Sequence, residues 1–374
     1  MGQSHNIPGQ LIDELLTTRG WSKRVLAIVL GIDESLLSKI IAGKRDVDAE
    51  LALALAEVFE VEPEEFLKLQ QQYDLARARL IVKKDPKRSS RARLFGGMPI
   101  LDMVRRGWLD VSEEDIRDVA KIEAAVLKFF DSQTIDEVTV PAHAAKKTDV
   151  GKDTTMIQTA WLHRVRQIAS EMLVPKFSVS AAKAAIATLQ NFRLSAEEAR
   201  HVPRTLMEAG IRFVLVEALP GAKIDGVCTW FDDGPVVALS MRHDRIDNFW
   251  FVLRHELEHV VNGDGKTGAV VDVDVERSEE ELPPEEKLAN DAAAEFCIAQ
   301  KTLLGFIARK APYFSERDII GFARTNQVHP GIVAGQLQNK TKRYDRFRAH
   351  QVKIRSIVAP SAIVDGWGDV APIG

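Results

Sequence analysis

Cysteine is scarce in this chain of 374 residues: Cys228 and Cys297 are its only two. They form no CxxC pairing and fit free thiols in a reducing compartment better than a disulfide framework. Long apolar runs are missing as well. None approaches the roughly 18 residues of a membrane span, and the opening MGQSHNIPGQLIDELL lacks the basic start and apolar core of a signal peptide. A soluble, cytoplasmic protein with no membrane association is therefore expected. Excess charge of one sign is absent too. Fifty Lys and Arg stand against 54 Asp and Glu, a net charge of −4, so any contact with nucleic acid must come from local basic patches. The length predicts two or three domains, and a hydrophobic content of 45% suffices for ordinary globular cores.

What the chain does have is the stretch 248–263, NFWFVLRHELEHVVNG, with His255, Glu256 and His259 in the spacing HExxH. Two imidazoles four residues apart lie one turn above each other on one helical face, so both can reach one metal ion, with Glu256 beside them. The flanking Phe249, Trp250, Phe251, Val252, Leu253, Leu257, Val260 and Val261 imply a buried helix. Burial obliges the two His and the Glu to be paired or to ligate a metal.

A catalytic zinc keeps one of four positions for water, so two His need a third protein ligand. A His six residues after the second would require His at 265, where this chain has Gly265, and Asn262 stands where that pattern needs Gly. The remaining source is a Glu on a later helix. In EEKLANDAAAEFCIA, Glu286 shares a face with Ala289, Asn290 and Ala293, small residues that let this helix lie close to the HExxH helix, whereas Glu295 faces the opposite way. Glu286 is the expected third ligand, and Asn290, one turn on, is placed to hold a His N–H. A further electrophile could come from His329, His243 or Tyr313.

Residues 8–72 read as five short helices. Pro8 and Gly9 introduce the first, Ser22 caps a second that ends at Gly31, a third runs from Asp33 or Ser35 to Ala42, Asp48 caps a fourth and Pro63 opens the fifth. The second and third have helix-turn-helix spacing. Ala27 is small where the helices approach, Gly31 provides the turn, and Leu26, Val29, Ile32, Leu37 and Ile40 supply the core between them. These residues resemble the Xre/Cro-type DNA-binding domain, and the run from Arg45 through LQQQYDLARARL resembles the HigA-type antitoxins. The resemblance implies a dimeric operator binder with its recognition helix at Asp33 to Ala42. Ser35, Ser38 and Lys39 would then face the major groove, and Lys23, Lys44 and Arg45 the phosphate backbone. Asp33 and Glu34 would meet phosphate repulsion there unless they accept from cytosine amino groups or cap the helix. Residues 1–80 carry nine Lys and Arg against thirteen Asp and Glu, an acidic balance for such a module.

Residues 83–97, KKDPKRSSRARLFGG, read as a basic linker, and helical segments near 100–106, 113–130 and 157–171 read as a connector, with loop at 132–155. Basic runs span 77–93 and 340–355, and an acidic one spans 272–286 between the proposed ligands. The runs IRFVLVEAL, GVCTWF and PVVALSM form a small sheet ahead of the metal helix, which makes this an α+β domain.

HELEH followed 27 positions after the second His by Glu286, in ExxANxxAxE, resembles the ImmA/IrrE family of zinc metallopeptidases. QTAWLHRV and HPGIVAGQLQ resemble members of that family fused to helix-turn-helix domains. The resemblance implies a multidomain protein: a helix-turn-helix domain at 1–80, a basic linker and helical connector at 81–155, and a zincin-like, gluzincin-type α+β peptidase domain at 156–374. It implies Zn(2+) held by His255, His259 and Glu286, Glu256 as catalytic base, and a helix-turn-helix repressor, or the chain itself, as protein substrate. Two positions depart from the family pattern: Ala292, where Phe is usual, and Glu258, where Gly is frequent. A second class of function is a HigA-like antitoxin or repressor with a toxin partner, in which the zinc domain senses or scaffolds and cuts nothing.

Overall fold

The computed structural model describes residues 6–81, 85, 88–134, 155–231, 233–266, 270–273 and 282–371. Two compact units follow one another along the chain, 1–86 and 87–374.

The first unit is all helical: α1 (Pro8–Arg19), α2 (Lys23–Leu30), α3 (Glu34–Ile41), α4 (Ala49–Phe59) and α5 (Pro63–Ile81). Local chemistry sets the boundaries. The Ser22 hydroxyl accepts from the Val25 N–H and Asp48 from the Leu51 N–H, at 3.3 and 2.9 Å, each satisfying an N–H that the helix start leaves over. Gly20 and Gly31 close α1 and α2 in the left-handed region, at φ of 67° and 66°, where a side chain would be strained. Ile12, Leu26, Leu37, Ile40, Leu55 and Phe66 form the core. Val29, expected among them, is instead exposed, because α2 turns Leu26 and Ala27 inward and leaves Val25, Ile28 and Val29 outside. Buried Gln70 ties α5 to the segment after α3: its Oε1 accepts from the Val47 N–H at 3.0 Å and its Nε2 donates to Asp46 at 3.1 Å.

The second unit is mostly helical around a small mixed sheet of strand order β4-β2-β3-β1-β5. Its strands are β1 (Arg212–Val216), β2 (Ile224–Phe231), β3 (Gly234–Leu239), β4 (Val270–Val273) and β5 (Ile363–Asp365). β1 runs parallel to β3 and β5, while β2 is antiparallel to β3 and β4. Side chains alternate across the strands. Val214, Val216, Val227, Val236 and Ala238 face one helical layer, formed by α6 (Arg88–Gly97), α7 (Ile100–Arg105), α8 (Val119–Phe130) and α9 (Met156–Ser170). Phe213, Leu215, Cys228, Val237 and Leu239 face the other. That layer contains α10 (Val179–Phe192), α11 (Val202–Glu208), α12 (Ile246–Asn262), α13 (Pro284–Cys297), α14 (Gln300–Lys310), α15 (Glu316–Thr325) and α16 (Pro330–Thr341), and a short α17 (Arg355–Val358) follows.

The expected linker and connector therefore need correcting. Residues 88–97 are helical and residues 88–130 cover one face of the sheet, because Leu94, Ile100, Met103, Trp108, Ile122 and Val126 are buried there. Arg164 and Asp365, both fully buried, form an ion pair that fixes β5 to α9, with the Trp108 indole N–H donating to the same carboxylate at 3.0 Å. Of the other charge runs, Lys83, Lys84 and Lys87 lie outside the described residues, as do most of the acidic stretch and residues 135–154 of the loop expected at 132–155. Among the described residues no helix is long and apolar enough to cross a membrane.

Candidate metal centre and candidate DNA-reading surface

α12 lies on the sheet at β2 and β3, and α13 lies against α12 in the most extensive helix–helix contact of the unit. Ala289 and Ala293, fully buried, allow that close approach. The arrangement brings His255, His259 and Glu286 together, with one ligand atom of each within 4.8 Å of the others. The Nε2 atoms of the two His are 3.1 Å apart, and Glu286 oxygens stand 3.3 Å from His255 Nε2 and 3.7 Å from His259 Nε2. Donors at about 2.0–2.1 Å from a tetrahedral ion are separated by about 3.4 Å, so the triangle has the dimensions of a metal site.

Each imidazole is aimed from behind. His255 Nδ1 lies 3.1 Å from Asn290 Oδ1, and His259 Nδ1 lies 3.0 Å from Asp264 Oδ2. With Nδ1–H donating to these oxygens, both Nε2 lone pairs face the Glu286 carboxylate, an arrangement that a cation between them stabilises. Burial pushes the His259 imidazole below its ordinary pKa range, and the neighbouring His255 adds to the effect. The neutral ring favoured in this way is the form that ligates metal.

Glu256 is fully buried. Its carboxylate lies against the backbone of Gly226 on β2, where an added Cβ would come within 2.5 Å of Glu256 Oε1 and 2.9 Å of Val252 Cγ1. Glu258 takes no part in the triangle; its carboxylate accepts from Arg254 Nη2 at 2.6 Å, one turn earlier. Glu295, on the other face of α13, accepts from the Gln300 N–H at 2.8 Å.

His329 is not brought to this cluster, which corrects its assignment as an electrophile there. It caps α16, with Nδ1 accepting from the Gly331 N–H at 3.0 Å, and the adjacent Gly331 abuts Ile246 at the start of α12. Ile246 precedes His255 by nine residues, about 13 Å along a helix. His243 and Tyr313 are exposed on loops.

Sequence reasoning missed Asp264 and Gly226. The signal for Asp264 was HVVNGD, a polar residue just past a helix-terminating glycine and five positions after the second His. For Gly226 no sequence signal distinguished it from an ordinary turn glycine, because its neighbour Glu256 is 30 residues away.

In the first unit, Ser35, Ser38, Lys39, Lys44 and Arg45 are all exposed, on α3 and the turn after it. Lys23 is half-buried and its Nζ lies 3.7 Å from Asp13 Oδ1. Asp33 occupies the N-cap position of α3 with extended backbone, yet its side chain makes no capping bond.

Comparison with known proteins bears on this first unit. Residues 12–66 match the family model described as Helix-turn-helix, so this unit is a helix-turn-helix domain of the Xre-like kind used by DNA-binding transcription regulators. Among solved structures the chain is similar to an addiction module antidote protein of a HigA family from Coxiella burnetii. The identity is 36%, over 19% of this chain and 78% of that one, with a TM-score of 0.18. Comparison with curated proteins gives no match.

Proposed function

We propose that the chain is a DNA-binding transcription regulator whose second unit is a zinc-dependent endopeptidase, acting on a helix-turn-helix regulator or on the chain itself. The observation that carries this reading is the triangle of His255, His259 and Glu286, with its spacings of 3.1, 3.3 and 3.7 Å. Among the described residues three donors meet there; a fourth position left to water distinguishes a catalytic zinc site from a closed structural one.

Zinc bound to these donors would lower the pKa of a water towards about 7 and polarise the scissile carbonyl. Glu256, directly after His255, is the residue this reading assigns to move the proton. Its carboxylate takes a proton from the attacking water as the new C–O bond forms, then gives that proton to the amine nitrogen as the C–N bond breaks. Asn290 and Asp264 keep both Nδ1–H groups turned away from the donor triangle, so neither ring has to reorganise during the reaction. Glu256→Gln separates binding from chemistry. The variant should keep one zinc per chain and lose cleavage of a candidate repressor by at least about a hundredfold. Equal cleavage by both proteins, or by neither at full zinc occupancy, would refute the peptidase reading.

A second reading rests on the helix-turn-helix match alone: a HigA-like antitoxin or repressor, paired with a toxin, in which the zinc site senses or scaffolds. Both readings take operator DNA as a partner and a homodimer as the binding form, with half-sites about 34 Å apart. Lys39→Ala combined with Arg45→Ala should weaken operator binding; unchanged affinity would remove α3 from the groove.

A further inference from the structure

The basic run at 340–355 has no part in the metal centre or in the helix-turn-helix unit, and it belongs to a larger asymmetry of charge. Residues 300–355 hold twelve Lys and Arg against three Asp and Glu, which leaves 38 against 51 for the rest of the chain. A positive segment in a net negative protein marks a surface for a polyanion when its cations are exposed, fixed in place and uncompensated. Lys340 lies in the last turn of α16 and Lys342 at its C-terminal end, and the loop that follows carries Arg346 and Arg348; all four are exposed.

Fully buried Gln338 anchors this loop. Its backbone carbonyl accepts from the Arg343 N–H at 3.2 Å, its Oε1 accepts from Arg245 Nη2 at 2.8 Å, and its Nε2 donates to the Arg346 carbonyl. The Phe347 ring meets Phe314 edge-on, centroids 6.0 Å apart, and Arg346 Nη1 donates to the Pro312 carbonyl at 3.3 Å, so the loop lies beside the turn between α14 and α15. Tyr344 in the loop and Tyr313 in the turn, 53% and 83% exposed, present hydroxyls of the kind that donate to phosphate. Some of the charge is cancelled locally: Arg343 pairs with Asp345 at 3.0 Å and Lys310 with Asp318 at 2.7 Å. The rest is not. Lys342 donates to the Asn339 side-chain oxygen, and Arg346 and Arg348 donate to the backbone carbonyls of Pro312 and Tyr344, all neutral acceptors. Among the described residues no carboxylate lies within 4.0 Å of the basic groups of Lys340, Lys342, Arg346 or Arg348. Behind them α16 is buried from Gly331 to Gln338, so it cannot enter a groove, and a nucleic acid here is held by its phosphates rather than read by its bases.

We propose that the surface of Lys340, Lys342, Arg346 and Arg348 binds the phosphate backbone of duplex DNA, whatever its sequence, as a second contact in addition to that of the helix-turn-helix unit. A duplex held by the first unit is at high effective concentration for a surface on the same chain, whereas an acidic protein would have to be recruited separately. The inference rests on the chain being a DNA-binding protein, not on zinc or on peptide cleavage. It is tested on the full chain by fluorescence anisotropy with a labelled duplex of arbitrary sequence, about 30 base pairs long, between about 50 and 200 mM salt. Lys340→Gln, Lys342→Gln, Arg346→Gln and Arg348→Gln combined should weaken binding and make the slope of log affinity against log salt shallower by about 2–4, since each phosphate contact contributes about 0.9. Lys176→Gln with Lys183→Gln, exposed cations elsewhere in the second unit, should leave the slope unchanged. Circular dichroism verifies that each variant is folded. An unchanged slope in the folded fourfold variant, an equal loss per charge in the Lys176 and Lys183 variant, or no duplex binding by the unaltered chain would each overturn the proposal. Lys39→Ala with Arg45→Ala alters only the first unit, so weakened binding confined to that variant would remove the second contact and leave the helix-turn-helix reading standing.

Discussion

Replacing Asp264 by Ala tests whether the second unit holds its imidazoles for a metal. His259 Nδ1 lies 3.0 Å from Asp264 Oδ2, and the rest of Asp264 is fixed through its backbone. Its N–H donates to the His259 carbonyl at 2.9 Å and its carbonyl accepts from the Trp230 indole at 2.8 Å. Truncation therefore removes the orienting bond and leaves the chain in place. Loss of such a partner costs about 10- to 100-fold in metal affinity, or about 1.4–2.7 kcal/mol. The Asp264 side chain is 29% exposed, so water can replace part of the bond and the lower end of that range applies. Asp264→Asn keeps an acceptor and loses the charge, so its effect should be smaller than that of Ala. Asn290→Ala should act in the same sense through His255, whose Nδ1 is 3.1 Å from the amide oxygen. Competition for zinc against a chromophoric chelator at neutral pH gives all three affinities on apo-protein shown to be folded. If Asp264→Ala and Asn290→Ala both bind zinc as tightly as the parent protein, the rings are not held for a metal and the site reading fails.

Gly226→Ala would put a Cβ 2.5 Å from Glu256 Oε1, so it should displace the carboxylate and reduce cleavage at least about tenfold while zinc stoichiometry stays at one; full activity would detach Glu256 from the chemistry. Gly335→Ala, whose Cβ would meet Asp247 Oδ2 at 2.1 Å, should cost about 1–3 kcal/mol of overpacking, read as a lower denaturation midpoint. His163 is wedged between Phe129 and Phe130, ring centroids 5.1 and 5.0 Å away, and burial pushes it below its ordinary value of 6.5. The folded chain thus favours its neutral form, so the contribution of His163 to stability is full above about pH 6.5 and declines below it as the unfolded chain takes up the proton first. His163→Gln should flatten that decline below about pH 6.5; an unchanged slope would locate the dependence elsewhere.

The helix-turn-helix unit was legible because its boundaries are written in local chemistry. Ser22, Asp48, Gly20 and Gly31 act within four residues of themselves, and their effect needs no knowledge of the tertiary fold. Val29 was misread because an eight-residue helix offers only a narrow inward arc, and residue spacing alone does not say where that arc ends. α6 was misread for the opposite reason. Its polar, Arg- and Ser-rich sequence lacks helical periodicity, and the buried Leu94, with Met98 and Ile100 just beyond the helix, reveals its role only once the sheet is in place. β5 is three residues long and pairs with β1 from almost 150 positions away, held by the Arg164–Asp365 ion pair, so no local pattern announces it.

The triangle of His255, His259 and Glu286 was readable because helical periodicity fixes which side chains share a face. Asp264 was not, because its position depends on how α12 ends. Gly263 adopts φ of 75° and its N–H bonds to the Val260 carbonyl at 3.2 Å, which turns the chain so that Asp264 comes back beside the ring of His259. That account makes Gly263 a positioning residue. Gly263→Ala costs about 1–2 kcal/mol in the left-handed region, and the chain relieves this by leaving that conformation and carrying Asp264 away from His259. Zinc affinity should then fall in Gly263→Ala in the same sense as in Asp264→Ala. Since both changes remove one and the same bond, the double variant should bind zinc no more weakly than Asp264→Ala alone. Losses that add in the double variant would show that Gly263 reaches the site by another route.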